Sequence, residues 1–88
     1  MERNEAIGNS VAERVIHVLT AVSETDAVRR QPEMRLYELG VIDSLGTVEL
    51  IVALSEEFEI DLSPAEIDRD LWATPANIVA FMEARLIS

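Results

Sequence analysis

The 88-residue sequence predicts a small all-α protein, an antiparallel four-helix bundle with three longer helices and one short third helix. Three segments repeat apolar residues at helical spacing, two proline-containing motifs have the form of helix starts, and no stretch alternates as a half-buried strand would.

Ile7, Val11, Val15, Val18 and Val22 recur at steps of four, four, three and four, so the first helix is expected from about Glu5 to Val22. Ser23 to Glu33, with Arg29, Arg30 and Pro32, shows no period and reads as a long loop. Leu36, Leu39, Val41 and Ile42 crowd around Gly40 and read as a buried loop, in which Gly40 supplies a backbone angle that other residues resist.

From Ser44 to Glu59, Leu45, Val48, Ile51, Val52, Leu54 and Phe58 are expected to cover one side of the second helix. Ser63-Pro64-Ala65-Glu66 has the form of a capping box and starts the short third helix. Thr74-Pro75 starts the last, whose stripe is Ile78, Phe81, Met82 and Leu86. Trp72 is expected to plug the junction of the third and fourth helices. With no repeat or low-complexity tract, residues 1–88 read as a single domain.

A chain this short buries only about 60 to 65% of its unfolded surface, which leaves little room for a deep substrate cavity. The absence of cysteine removes disulfides, thiolate metal sites and a cysteine nucleophile, so any thiol chemistry needs a borrowed thiol. No apolar run approaches the ~20 residues that span a bilayer. The N-terminus, with Glu2 and Glu5 flanking Arg3, lacks the order of a signal peptide, and a cytoplasmic location is expected.

The net charge of −10 is concentrated: ten acids against one base, Arg69, lie between Glu38 and Asp70, leaving nine negative charges there. That field disfavours nucleic acid and anionic lipid and steers basic protein surfaces toward the middle of the chain. Glu49 and Glu56, seven residues apart with Glu57 close by, form an acidic strip on the second helix; from the pattern alone it is either a solvated face or a docking surface. No metal site is expected, because Glu56, Glu57, Glu59 and Asp61 lack the spacing of a calcium loop. His17 reads as a surface or boundary residue, and Asp43-Ser44 with His17 does not make a hydrolase triad: the elbow motif fails at Ile42.

Ser44 opens the strongest helix, where free N–H groups and the positive end of the helix dipole favour a phosphate. Alternatively, Asp43 or Ser44 is there merely as the helix cap. The run Leu36-Tyr37-Glu38-Leu39-Gly40-Val41-Ile42-Asp43-Ser44-Leu45 resembles the attachment motif of acyl carrier proteins, a Leu-Gly pair followed by Asp-Ser-Leu at a helix start. The resemblance implies an acyl-carrier-protein-like bundle in which a transferase moves 4′-phosphopantetheine from coenzyme A onto Ser44, with Asp43 as the acid beside it. Gly40-Val41-Ile42-Asp43-Ser44-Leu45-Gly46-Thr47-Val48-Glu49-Leu50 has two residues between glycine and aspartate, where common fatty-acid carriers have one, and is more similar to the D-alanyl carrier subfamily. So is Asp68-Arg69-Asp70-Leu71-Trp72-Ala73-Thr74-Pro75. Leu45 stands where that subfamily usually has Met.

The resemblance implies a carrier without catalysis. A phosphopantetheinyl transferase modifies Ser44, an ATP-dependent acyl or aminoacyl ligase loads the arm, and an acceptor acyltransferase or synthase unloads it. Partners would read Asp43, Leu45, Val48, Glu49, Glu56 and Glu57. The favoured cargo is D-alanine; a dedicated carrier for polyketide, lipid or nonribosomal peptide assembly is the alternative. An unmodified acidic adaptor that binds a basic protein is the alternative of another class. A monomer that does not insert into the membrane is expected.

Overall fold

The computed structural model describes residues 10–68 and 70–87. Among them are four α-helices, α1 (Val11–Ser23), α2 (Ala27–Arg30), α3 (Ser44–Phe58) and α4 (Pro75–Ile87), and one 3-10 turn (Pro64–Glu66). No described residue is in a strand. α1 packs against both α3 and α4, and one aliphatic core joins them: Val15, Val18, Leu19, Leu50, Ile51, Leu54, Ile78 and Met82, with Val28, Leu36, Ile42, Leu62 and Trp72 from the connections.

The Ser10 hydroxyl caps α1 by accepting from the Glu13 N–H at 3.1 Å, so α1 is described from Val11; the predicted turn from Glu5, with Ile7, lies outside the described residues. Val15 and Val18 are buried as the spacing predicts, and Leu19, one step round the same face, is buried with them.

The stretch read as a loop contains α2. Its one apolar residue with a full burial, Val28, plugs into the core, and Arg30 pairs with Asp26 one turn earlier at 2.6 Å. A single turn has no period to read, so only its packing reveals it.

The 36–42 connection folds over the start of α4. Leu36 N–H donates to Ala73 C=O at 2.9 Å and Ala76 N–H to Pro32 C=O at 2.9 Å, while the Leu36 carbonyl accepts from Val41 and Ile42. Gly40 has φ +74, with open space where a Cβ would stand, so backbone strain rather than crowding demands glycine. Leu36 and Ile42 are buried as expected, but Leu39 faces solvent: it lies on the outside of the turn that Gly40 closes.

α3 also departs from the expected stripe. Its buried residues are Leu50, Ile51 and Leu54, whereas Leu45, Val48 and Val52 are 67%, 49% and 51% exposed. The helix carries apolar residues on two faces, and α1 covers only one.

The capping box at Ser63 is present, the Ser63 hydroxyl accepting from Ala65 N–H and the Glu66 carboxylate from Ser63 N–H, both at 3.2 Å. The predicted third helix is nevertheless a 3-10 turn of three residues with none buried. An element with no apolar face has nothing to drive its extension. Thr74 caps α4 through Asn77 N–H at 3.1 Å, with Pro75 in the first helical position. Trp72 is fully buried just before it, edge-on to Phe81 with ring centroids 5.7 Å apart, as its predicted plugging role requires.

Arg14 ties α1 to the end of α3. Its guanidinium lies 4.4 Å from the Phe58 ring centroid and donates to the Glu57 carboxylate at 2.8 Å and the Glu57 carbonyl at 2.7 Å. One cation thus meets a carboxylate, an aromatic face and the negative end of a helix dipole. The ion pair is about one third exposed, so solvent screening limits its worth. Arg14→Ala is expected to lower the unfolding free energy by about 1–2 kcal/mol in urea melts, and Arg14→Lys by less, since it keeps the charge without the fork.

Candidate functional site

The site is built where the 36–43 connection delivers the chain into α3. Asp43, extended at φ −119 and ψ −169, is the N-cap: its carboxylate accepts from Gly46 N–H at 2.8 Å and its carbonyl from Thr47 N–H at 2.8 Å. Capping therefore falls to Asp43, and Ser44 is the first helical residue, exposed at the positive end of the 15-residue α3. A phosphodiester there meets the partial positive charge of the uncapped N–H groups.

Three residues that the sequence reading did not single out hold this start in place. A Cβ on Gly46 would stand 3.3 Å from Asp43 Oδ1 and 3.4 Å from Ile42 Cγ2, so glycine lets the cap carboxylate close on the helix. The Thr47 hydroxyl donates to Asp43 C=O at 2.9 Å, and it lies 2.6 Å from the Tyr37 hydroxyl. The Tyr37–Thr47 contact spans ten residues and fastens the connection to the helix. A Tyr before Gly40 and a Thr one turn into the helix are the only signals the sequence offers for it.

Two shallow depressions flank this contact. One, of about 210 Å³, is lined by Tyr37, Ser44, Thr47, Ile67 and Asp68; the other, of about 190 Å³, by Arg35, Tyr37, Glu38, Asp70 and Ala73. Tyr37 belongs to both, so they adjoin. An exposed hydroxyl at a helix N-terminus with a polar groove beside it suits a tethered phosphodiester followed by an amide-bearing arm, and the chain's residues fit that group.

The other predicted site residues fall into two sets. Leu45, Val48, Glu49 and Glu56 are exposed and share one face of α3 with Val52, giving an apolar strip edged by carboxylates directly after Ser44. Glu57 is not on that face. It is half-buried and held by Arg14. Among the described residues, every arginine is engaged by a carboxylate: Arg14 by Glu57, Arg29 by Glu13, Arg30 by Asp26, Arg35 by Glu38 and Arg85 by Glu66. Glu49 and Glu56 enter none of these pairs, so the α3 face keeps its negative charge. His17 is exposed on α1. No described group of His, Asp and Glu is placed to hold a metal ion, and no described helix is long and apolar enough to cross a membrane.

Residues 13–82 match the family described as "Phosphopantetheine attachment site". A D-alanyl carrier protein of Bacillus velezensis is 46% identical over 67 residues, covering 76% of this chain and 86% of that protein. One of Staphylococcus saprophyticus is 41% identical over 71 residues, covering 81% and 91%, and one of Listeria monocytogenes 38% over 72, covering 82% and 92%. With most of its length matched in this way, the chain belongs to the phosphopantetheine attachment family and is a helical carrier protein whose prosthetic group is covalent 4′-phosphopantetheine.

Proposed function

We propose that Ser44 bears the arm and that the protein is a non-catalytic, monomeric carrier of D-alanine in the cytoplasm, residues 1–88 forming a single carrier domain. One observation carries the choice of residue: Ser44 is the first residue of α3, exposed at the helix N-terminus, and Asp43 rather than Ser44 supplies the side-chain cap. D-alanine as cargo is supported by the relatives, which are named for it.

Modification by a phosphopantetheinyl transferase would join Ser44 Oγ to the pantetheine-side phosphorus of coenzyme A as the pyrophosphate P–O bond breaks; the hydroxyl proton goes to the transferase and adenosine 3′,5′-bisphosphate leaves. The bound group supplies a thiol on which the cargo is held as a thioester. Everything else falls to the chain. The α3 N-terminus would stabilise the phosphodiester, the Tyr37–Thr47 contact fastens the helix start that carries Ser44, and the depression beside Ser44 would give the arm a surface to lie against.

Recognition by the ATP-dependent ligase and by the acceptor acyltransferase rests on the α3 face. Leu45, Val48 and Val52 offer apolar contact, and Glu49 and Glu56 attract a basic rim. Asp43 is exposed beside that face, but its carboxylate is committed to the cap. Charges at the rim of an interface act chiefly on encounter rate. Replacing both Glu49 and Glu56 by Lys is therefore expected to slow ligase-catalysed loading about tenfold or more at low salt, the gap to wild type closing as ionic strength rises.

The cargo is tested by offering the holo protein, ATP and a D-alanine-activating ligase a choice of D-alanine, L-alanine and acetate. A hydroxylamine-sensitive D-alanyl adduct formed in preference to the others supports the reading. Failure with D-alanine while a malonyl or fatty acyl donor loads the same protein would move it to the polyketide or lipid alternative.

A further inference from the structure

We infer that Tyr37 is a positioning residue for the modification of Ser44: its hydroxyl, acting through Thr47, holds the first turn of α3 in the helical form from which the Ser44 hydroxyl attacks coenzyme A. This deepens the function proposed above and rests on Ser44 being the attachment point.

The direction of the hydrogen bonds follows from counting protons. Thr47 has one hydroxyl proton and gives it to the Asp43 carbonyl at 2.9 Å, an oxygen that can only accept. At the 2.6 Å contact the Tyr37 hydroxyl is therefore the donor and Thr47 Oγ1 the acceptor. The result is a relay from the 36–42 connection to the carbonyl of the Asp43–Ser44 peptide, which also accepts from Thr47 N–H at 2.8 Å. Tyr37 and Thr47 are both half-buried, so water competes for the relay less than it would on an open surface.

The first turn of α3 gains from such a tie because it contains Gly46. The missing Cβ lets the Asp43 carboxylate close to 2.8 Å on the Gly46 N–H, but glycine gives up more conformational freedom in a helix than any other residue. Helix ends fray, and Ser44, the first residue of α3, moves with that turn. The cap and the Thr47 bonds to Asp43 lie within residues 43–47 and open together. The Tyr37 bond instead reaches ten residues back, to a connection anchored by Leu36 N–H on Ala73 C=O at 2.9 Å. In the attack the Ser44 Oγ–P bond forms as the pyrophosphate P–O bond breaks, and a nucleophile misplaced by about 1 Å can lose about a hundredfold in rate. Neither hydroxyl belongs to the exposed face of Leu45, Val48 and Glu49, so its loss falls on turnover and not on affinity.

The test is steady-state phosphopantetheinylation by a broad-specificity transferase at saturating coenzyme A. Wild type is compared with Tyr37→Phe, Thr47→Val, Thr47→Ser and the Tyr37→Phe/Thr47→Val double variant, each assayed well below its melting midpoint. Tyr37→Phe and Thr47→Val are each expected to lower kcat about fivefold or more, with KM for the carrier within about twofold of wild type. Thr47→Ser keeps the hydroxyl and should restore most of the rate. The double variant should be no slower than Thr47→Val, because the two hydroxyls act as one unit. An unchanged kcat in folded Tyr37→Phe, or a loss carried wholly by KM, would overturn the positioning role and leave Ser44 as the attachment point. No adduct on folded wild type, or an adduct on another residue, would overturn both.

Discussion

Ser44→Ala is expected to abolish phosphopantetheinylation and all thioester loading while leaving the fold intact. The usual worry with a serine at a helix start is that its loss costs a cap, worth about 1 kcal/mol. Here the Asp43 carboxylate is the cap, bonded to Gly46 N–H at 2.8 Å, and Ser44 is already inside the helix. Alanine is a better helix former than serine, so the unfolding free energy should stay within about 0.5 kcal/mol of wild type. Asp43→Ala provides the contrast. It should lower stability by about 1 kcal/mol, measured in the same urea melts, and still accept the arm.

Trp72→Ala is expected to remove about half of the protein's stability. Truncating a fully buried Trp costs about 3–5 kcal/mol, set against a total of about 5–10 kcal/mol for a domain of this size. The edge-to-face contact with Phe81 would go, and so would the packing that seats the start of α4 under the 36–42 connection. The indole N–H is buried with no hydrogen-bond partner among the described residues, which already costs the native state something. Trp72→Phe keeps most of the packing and removes that orphan donor, so it should be far milder, about 1 kcal/mol or less. Melting both variants distinguishes a packing role, with the large gap, from any role that needs the indole nitrogen, in which the two would fall together.

The sequence was most legible where local chemistry decides. Ser63-Pro64 and Thr74-Pro75 start helical turns because a hydroxyl acceptor followed by a ring without an N–H suits only that position, and Gly40 takes the positive φ its place before Val41 required. Legibility failed where tertiary contact decides. α2 is one turn with one buried residue, too short to show a period. On α3, apolar residues at 45, 48 and 52 and at 50, 51 and 54 define two faces, and periodicity does not say which one α1 covers. The carboxylates did carry that signal. Glu49 and Glu56 share the face of Leu45, Val48 and Val52, so that face had to be the wet one.

At the site, the motif around Asp43-Ser44 was visible as a pattern, but the division of labour within it was not. Either residue makes a good cap, and only the Asp43–Gly46 bond assigns the task. The Tyr37–Thr47 contact and the pairing of Glu57 with Arg14, 43 residues apart, depend on how helices pack and leave no trace in local spacing. Glu57 looked like part of the acidic strip because it adjoins Glu56; at 100° per residue its neighbour turns it to another face.

The central claim, that Ser44 is the residue bearing the arm, is tested most directly by peptide-level fragmentation mass spectrometry of the protein after incubation with coenzyme A and a phosphopantetheinyl transferase. The expected result is one adduct per chain, with fragments that place it on Ser44. An adduct on Ser55 or Ser63, or none on a protein shown to be folded beside a control carrier that is modified, would contradict it.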